Sequence, residues 1–171
     1  MKKVFKTIGW LLLIALVVIQ FFHPKKNIHA GDQPNALAKL HPIPDDVKTI
    51  LKKACEDCHS NNTVYPWYSK IQPVDWWLDD HIKDGKRGFN LDEIGARPAW
   101  LRYHKMEEFK ELIEKGEMPL DSYTWIHKDA ILTADEKAKL TGWAQGIMDQ
   151  MKQTLPADSL KRPQRPQQPK S

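Results

Sequence analysis

Both cysteines of the chain lie three residues apart in "KKACEDCHSNNTVYPWY", residues 52–68, and a histidine directly follows the second. No other feature restricts so tightly what the chain can become, because Cys55, Cys58 and His59 together serve only a few chemistries. A structural zinc site takes four ligands and usually brings two Cys/His pairs. This stretch supplies three at most, and the chain has no second cysteine pair. A redox dithiol of the thioredoxin kind opens a helix within a βαβ pattern. Here the pair closes an amphipathic helix in a chain without strand-like alternation. A disulfide between neighbours this close would constrain little, since the loop it closes is so short. The remaining reading is C-x-x-C-H as the attachment site of a c-type haem. The two thiols add across the two vinyl groups, and the next residue, His59, lies beneath the iron as proximal ligand.

The rest of the central sequence is helical in pattern. "PDDVKTILKKAC" offers Asp45 or Asp46 as N-cap and sets Val47, Ile50, Leu51 and Ala54 on one stripe. "PVDWWLDDHIKDG" predicts a short helix from about Asp75 to Lys83, closed by Gly85. "HKMEEFKELIEKG" places Met106, Phe109, Leu112 and Ile113 on one face and ends at Gly116. "TADEKAKLTGWAQGIMDQM" carries a capping box, Thr133 with Glu136, ahead of Leu140, Trp143, Ala144, Ile147 and Met151. Between these segments, 60–73 and 84–103 read as long irregular stretches. Loops of that length in so small a domain need something to pack against, and a prosthetic group supplies it.

The two ends differ from the middle. Residues 1–22 put Lys2, Lys3 and Lys6 ahead of an apolar run that reaches Phe22. The run from Ile8 to Phe22 is 15 residues, about 22 Å as a helix. It reads as a cleaved signal peptide or an uncleaved signal anchor. The anchor is preferred because a cleavage site wants an A-x-A-like pattern, and only Ala30 qualifies, with Ile28 spoiling the match. Either reading exports the remainder of the chain and keeps the lysines in the cytoplasm. The tail "LPADSLKRPQRPQQPKS" holds four of the twelve prolines and is expected to be disordered. Residues 31–152 carry 17 basic against 21 acidic side chains, a net of −4. The basic balance of the chain therefore belongs to its ends, and no nucleic-acid partner is expected. The predicted division is 1–24 as a transmembrane helix, 25–35 as linker, 36–152 as the haem-binding domain and 153–171 as the tail.

With "ACEDCHSNNTVYPWYSKIQPVDWWLDDHI" and "GEMPLDSYTWIHKDAILTADEKAKLTGWA" in view, the chain resembles the bacterial haem-binding-domain family of C-x-x-C-H proteins over about residues 36–150. The shared marks are C-x-x-C-H-S-N, Y-P-W-Y, P-V-D-W-W and M-P. The resemblance implies an all-α fold similar in outline to monohaem cytochromes c, with long loops wrapped around one covalent haem c per chain.

A sixth iron ligand is sought in the chemistry of the remaining side chains. Met118, in "EKGEMPLDSY", follows a helix-ending glycine and precedes Pro119. It is the one methionine in such a loop setting, and a thioether favours the ferrous state. His81 and His127 are the rivals and would make a bis-histidine iron. His104 reads as surface or core, and His23, His29 and His41 as spacer residues. Among the aromatics, Trp67, Tyr68 and Trp77 are candidates for contact with the haem. Arg97 and Arg102 are candidate partners for its propionates.

These readings converge on a membrane-anchored, extracytoplasmic (periplasmic) monohaem c-type cytochrome that passes single electrons. The expected partners are a membrane or periplasmic redox protein and, through the N-terminal helix, the lipid bilayer. No catalytic residues are assigned: paired carboxylates around a pocket, a Gly-rich phosphate loop and a Ser–His–Asp order are all missing from the pattern. The alternatives are a haem-based sensor or binding module, and a peroxidase-like protein with an open or bis-His iron.

Overall fold

The computed structural model describes residues 1–163. Their helices are α1 (Lys2–Ile19), α2 (Leu37–Leu40), α3 (Asp45–Ala54), α4 (Glu56–His59), α5 (Val74–Gly88), α6 (Ala99–Lys115), α7 (Asp121–Thr124) and α8 (Ala134–Thr154). The extended pairing among the described residues is one isolated bridge, Ile28 with Asn62. The all-α expectation holds. The chain forms two compact units, Met1–Gly31 with Glu56–Asn90, and Asp32–Cys55 with the chain from Leu91 onward.

In the second unit the predicted stripe of α3 is buried. Val47, Ile50, Leu51 and Ala54 meet Ile113 of α6, Leu140 of α8, and Ala130 and Leu132 of the intervening loop. Asp45 and Asp46 occupy the first turn of α3 rather than the cap position, which Pro44 takes; there the carboxylates favour the positive end of the helix. Helix α6 ends as its sequence predicts. Gly116 adopts φ 73°, and Glu117 N–H donates back to the Leu112 carbonyl at 2.9 Å, which closes the last turn. The predicted capping box opens α8: Thr133 Oγ1 accepts from Glu136 N–H at 3.2 Å, and Glu136 Oε2 accepts from Thr133 N–H at 2.9 Å. Helix α8 continues to Thr154, and a 3-10 turn, Ala157–Leu160, packs on α6. Regular structure thus enters the stretch expected to be disordered. The remainder of that tail, 164–171, lies outside the described residues.

The first unit is built around α5, whose Leu78 and Ile82 pack with Tyr68. Two sequence expectations are corrected here. Helix α5 does not close at Gly85 but runs on to Gly88. The glycine is a contact residue inside the helix, not a terminator. The predicted transmembrane helix over 1–24 is also corrected: no helix among the described residues is long and apolar enough to cross a membrane. Helix α1 stops at Ile19, and the next residue, Gln20, is tied by its side chain to a partner in the same unit. Its Nε2 donates to the Gln72 carbonyl at 3.2 Å, and its Oε1 accepts from Gln72 N–H at 2.9 Å. Phe21 and Phe22 therefore do not lengthen the helix. The lysines occupy its first turns, and the apolar part of the helix, 7–19, is about 20 Å long.

Residues 20–29, read from sequence as helix end and linker, are bound to this unit instead. Phe22 C=O accepts from Gln72 Nε2 at 2.6 Å and from Trp76 Nε1 at 2.9 Å. His23 and Lys26, the former expected as a spacer, both pair with Asp75, at 2.7 and 3.0 Å. His41 is not a spacer either. In the second unit it is buried, with its ring hydrogen-bonded to Gln150 at 2.9 Å.

Candidate functional site

Helix α3 delivers the first cysteine. Cys55 N–H donates to the Leu51 carbonyl at 2.8 Å, and its side chain lies against the apolar cluster of the second unit. Met118 borders that same cluster, carried there by the reversal at Gly116.

Helix α4 carries Cys58 and His59 in the first unit. Cys58 packs on Tyr68, Leu78 and Ile82 beside Tyr65 and Val74. Burial pushes its thiol up to about 11, and the Asp57 charge acts in the same direction. That is the reverse of a redox dithiol, whose attacking sulfur is held ionised. Cys55 and Cys58 are both partly buried and are not joined as a disulfide. The interior Gly85 of α5 now has its explanation. A Cβ on it would lie 2.6 Å from the Cys58 carbonyl oxygen, so the helix can pass the motif this closely only with no side chain there.

The imidazole of His59 is oriented by one short bond. Its Nδ1 donates to the Phe89 carbonyl at 2.7 Å. A carbonyl can only accept, so the proton sits on Nδ1 and the lone pair on Nε2. Burial lowers the pKa of the ring below its ordinary value, against the Phe89 and Gly85 carbonyls, which favour the protonated form. The result is a neutral imidazole with a fixed tautomer, as a metal ligand requires. The loop behind it is closed by its own polar groups. Thr63 Oγ1 donates to the Asp57 carbonyl at 2.6 Å, Val64 N–H to Asp57 Oδ1 at 3.0 Å, and Asn90 Nδ2 to Asn61 Oδ1 at 2.9 Å.

Exposure separates the remaining candidates. Tyr68, 9 % exposed, is brought against Cys58. Trp67 is 72 % exposed and reaches the cluster only through its edge contact with Tyr68. Trp77 is 44 % exposed, with its ring 4.2 Å from that of His81. His81 Nδ1 donates to the Trp77 carbonyl one turn back, at 2.8 Å. His127 stacks on Tyr123 at 4.2 Å, and His104 pairs with Glu107 and Glu108 on its own helix. Arg97 is exposed. Arg102 is partly buried, and its Nε is a buried donor with no hydrogen-bond partner among the described residues.

Among the described residues, no group of three or more His, Cys, Asp or Glu side chains could hold a metal ion by itself. A haem iron asks less, because the porphyrin supplies four ligands and the protein one or two. Two partly buried thiols at C-x-x-C spacing and a neutral imidazole directly after them suit a porphyrin iron. Sequence reasoning missed Gly85 and Phe89. "GKRGF" reads locally as a helix end, and nothing in it reveals what that backbone will meet.

Fold and site define an all-α haem-binding protein of the c-type cytochrome kind. The haem-binding-domain family model matches residues 14–146, and the chain belongs to that family. It is also 22 % identical over 129 residues to the cytochrome c peroxidase Ccp of Escherichia coli (strain K12). That match covers 72 % of this chain but 27 % of the relative, so the chain spans about a quarter of that curated relative's length. No solved structure matches the chain.

Proposed function

We propose that this protein is a monohaem c-type cytochrome that carries single electrons on the outer side of a membrane. The observation that carries the reading is the 2.7 Å bond from His59 Nδ1 to the Phe89 carbonyl. It presents a neutral Nε2 lone pair one residue beyond two thiols at haem-attachment spacing. Cys55 and Cys58 hold the group as thioethers, and His59 serves as its proximal ligand. Met118 offers the sulfur for the sixth position. Its loop is fixed by the Gly116 reversal and the apolar cluster beneath it. When bound, the haem supplies a one-electron couple, and the protein's part is to exclude water, fix the ligands and limit reorganisation.

In this reading the protein acts as an electron carrier and not as an enzyme. Helix α1 buries none of its residues and is apolar behind its lysines, a pattern that suits a signal directing the domain outward. The acidic balance of 31–152 favours a redox partner with a basic docking face. A peroxidase reading draws its support from the E. coli relative. It requires an open iron with an acid–base group above it, and peroxide turnover by the purified protein distinguishes it.

The deciding experiment is a haem stain on a denaturing gel, from a host with c-type maturation machinery, beside Cys58→Ser. A stained band lost in the variant supports covalent attachment, and no stain from folded protein overturns it. Loss of the sulfur-ligand spectrum in Met118→Ala identifies the sixth ligand; an unchanged spectrum removes Met118 from that role.

A further inference from the structure

Asn27 commits every polar atom it has to the loop beside His59. Its N–H donates to Tyr65 Oη at 2.7 Å, and its C=O accepts from Thr63 N–H at 3.0 Å. Its Nδ2 donates to the Ser60 carbonyl at 3.0 Å and to Thr63 Oγ1 at 2.9 Å, while its Oδ1 accepts from Lys86 Nζ. Ser60 follows His59 directly, and Thr63 Oγ1 in turn donates to the Asp57 carbonyl. The carboxamide therefore ties together the two ends of the turn that directly follows His59, Ser60 and Thr63. Through Lys86 it also holds α5 beside Gly85, the residue that lies on the Cys58 carbonyl. Only a carboxamide offers two donors and one acceptor in this compass.

The segment that brings Asn27 there is itself anchored. Asp75, 1 % exposed, forms ion pairs with His23 and Lys26 of that segment. Lys26 also donates to the Ser69 carbonyl at 3.3 Å and lies 4.2 Å over the Tyr65 ring. A buried carboxylate stripped of its cations is strongly destabilising, which keeps this segment seated.

We infer that residues 20–29 are a built-in strap and that Asn27 is a positioning residue for His59, setting the orientation of its ring toward the iron. The inference rests on the proposed axial role of His59. Its test compares full-length, haem-loaded wild type with Asn27→Asp, which keeps the shape and the Lys86 contact but loses both donors. Lys25→Ala, at an exposed strap position, is the control. The readouts are hydrogen exchange at His59 Nδ1 and at the Thr63 amide by NMR, together with the midpoint potential.

In Asn27→Asp, both protons should exchange roughly tenfold or more faster, the effect of losing one to two net hydrogen bonds, and the potential should shift. Lys25→Ala should change neither. Tyr65→Phe, which removes only the acceptor for Asn27 N–H, should act in the same direction more weakly, and it decides the matter if Asn27→Asp does not accumulate. Variants that lower thermal stability while leaving His59 exchange and the potential at wild-type values would overturn the positioning role. Wild type without covalent haem would overturn the axial reading instead, and the two exchange rates would still decide the strap on that protein.

Discussion

At the scale of single residues, the site is shaped by what one glycine refuses and what one carbonyl accepts. Gly85 refuses a side chain, and Gly85→Ala sets a methyl against the Cys58 carbonyl, 2.6 Å from its oxygen. The helix must move away, at a cost of about 1–3 kcal/mol as for other overpacked sites. A lower thermal midpoint together with weaker haem staining would bear this out, and a wild-type level of both would refute it. Cys58 makes a second prediction. With its thiol at about 11, the ionised fraction at pH 8 is near one in a thousand, against about a quarter for a free cysteine. Iodoacetamide should therefore label Cys58 in the haem-free protein roughly two-hundredfold more slowly than free cysteine. Labelling at the free rate would restore the dithiol reading.

At the scale of elements, the strap and α8 make separate predictions. Removing residues 1–19 takes away a helix that buries nothing in its own unit and should leave the thermal midpoint of the protein near its original value. Removing 1–30 also takes His23, Lys26 and Asn27 and leaves Asp75 without these two partners. That protein should melt markedly lower and attach haem poorly. Equal behaviour of the two deletions in a thermal melt and haem stain would show that the strap holds nothing. In the second unit, Leu140 of α8 is fully buried in the cluster that seats Cys55 and Met118. Leu140→Ala should cost about 2–5 kcal/mol in chemical denaturation, the range for deleting a large core side chain. Helices α3, α6 and α8 were legible because their signals are local: stripe, capping box and terminal glycine all lie within one segment. The ends of α1 and α5 were not. Beyond each predicted end lies a contact far along the chain, Gln20 with Gln72 in one case and Gly85 beside the Cys58 carbonyl in the other.

At the scale of the whole molecule, the ionisation of one ring couples folding to pH. The folded-state pKa of His59 lies below the ordinary value of 6.5, so below that pH the unfolded chain binds more protons than the folded one. The stability contributed by the buried neutral ring is fully present above about pH 6.5 and is lost as pH falls through the lowered value. Haem-free protein should accordingly show a lower urea midpoint at pH 5.5 than at pH 7.5, beyond the decline seen in His59→Asn. Parallel declines would show that the ring titrates alike in both states. The family match beginning at residue 14 places the end of α1 and the strap inside the haem-binding domain, although the sequence pattern started that domain at 36.

The sequence by itself determined the helical class and marked Cys55, Cys58 and His59 as the candidate haem-attachment residues, because they are neighbours and the pattern needs no knowledge of the fold. It also marked Met118 through the local Gly116 and Pro119 signals. Only the tertiary structure decided which atom of His59 stays available, why Gly85 must be bare, that Tyr68 rather than Trp67 or Trp77 lies against Cys58, and that residues 20–29 belong to the ligand-bearing unit. Each of these depends on a backbone carbonyl, a buried charge or a close approach between segments distant in the chain. Such contacts leave no periodicity to read, because hydrogen bonding and steric exclusion act through space and not along the sequence.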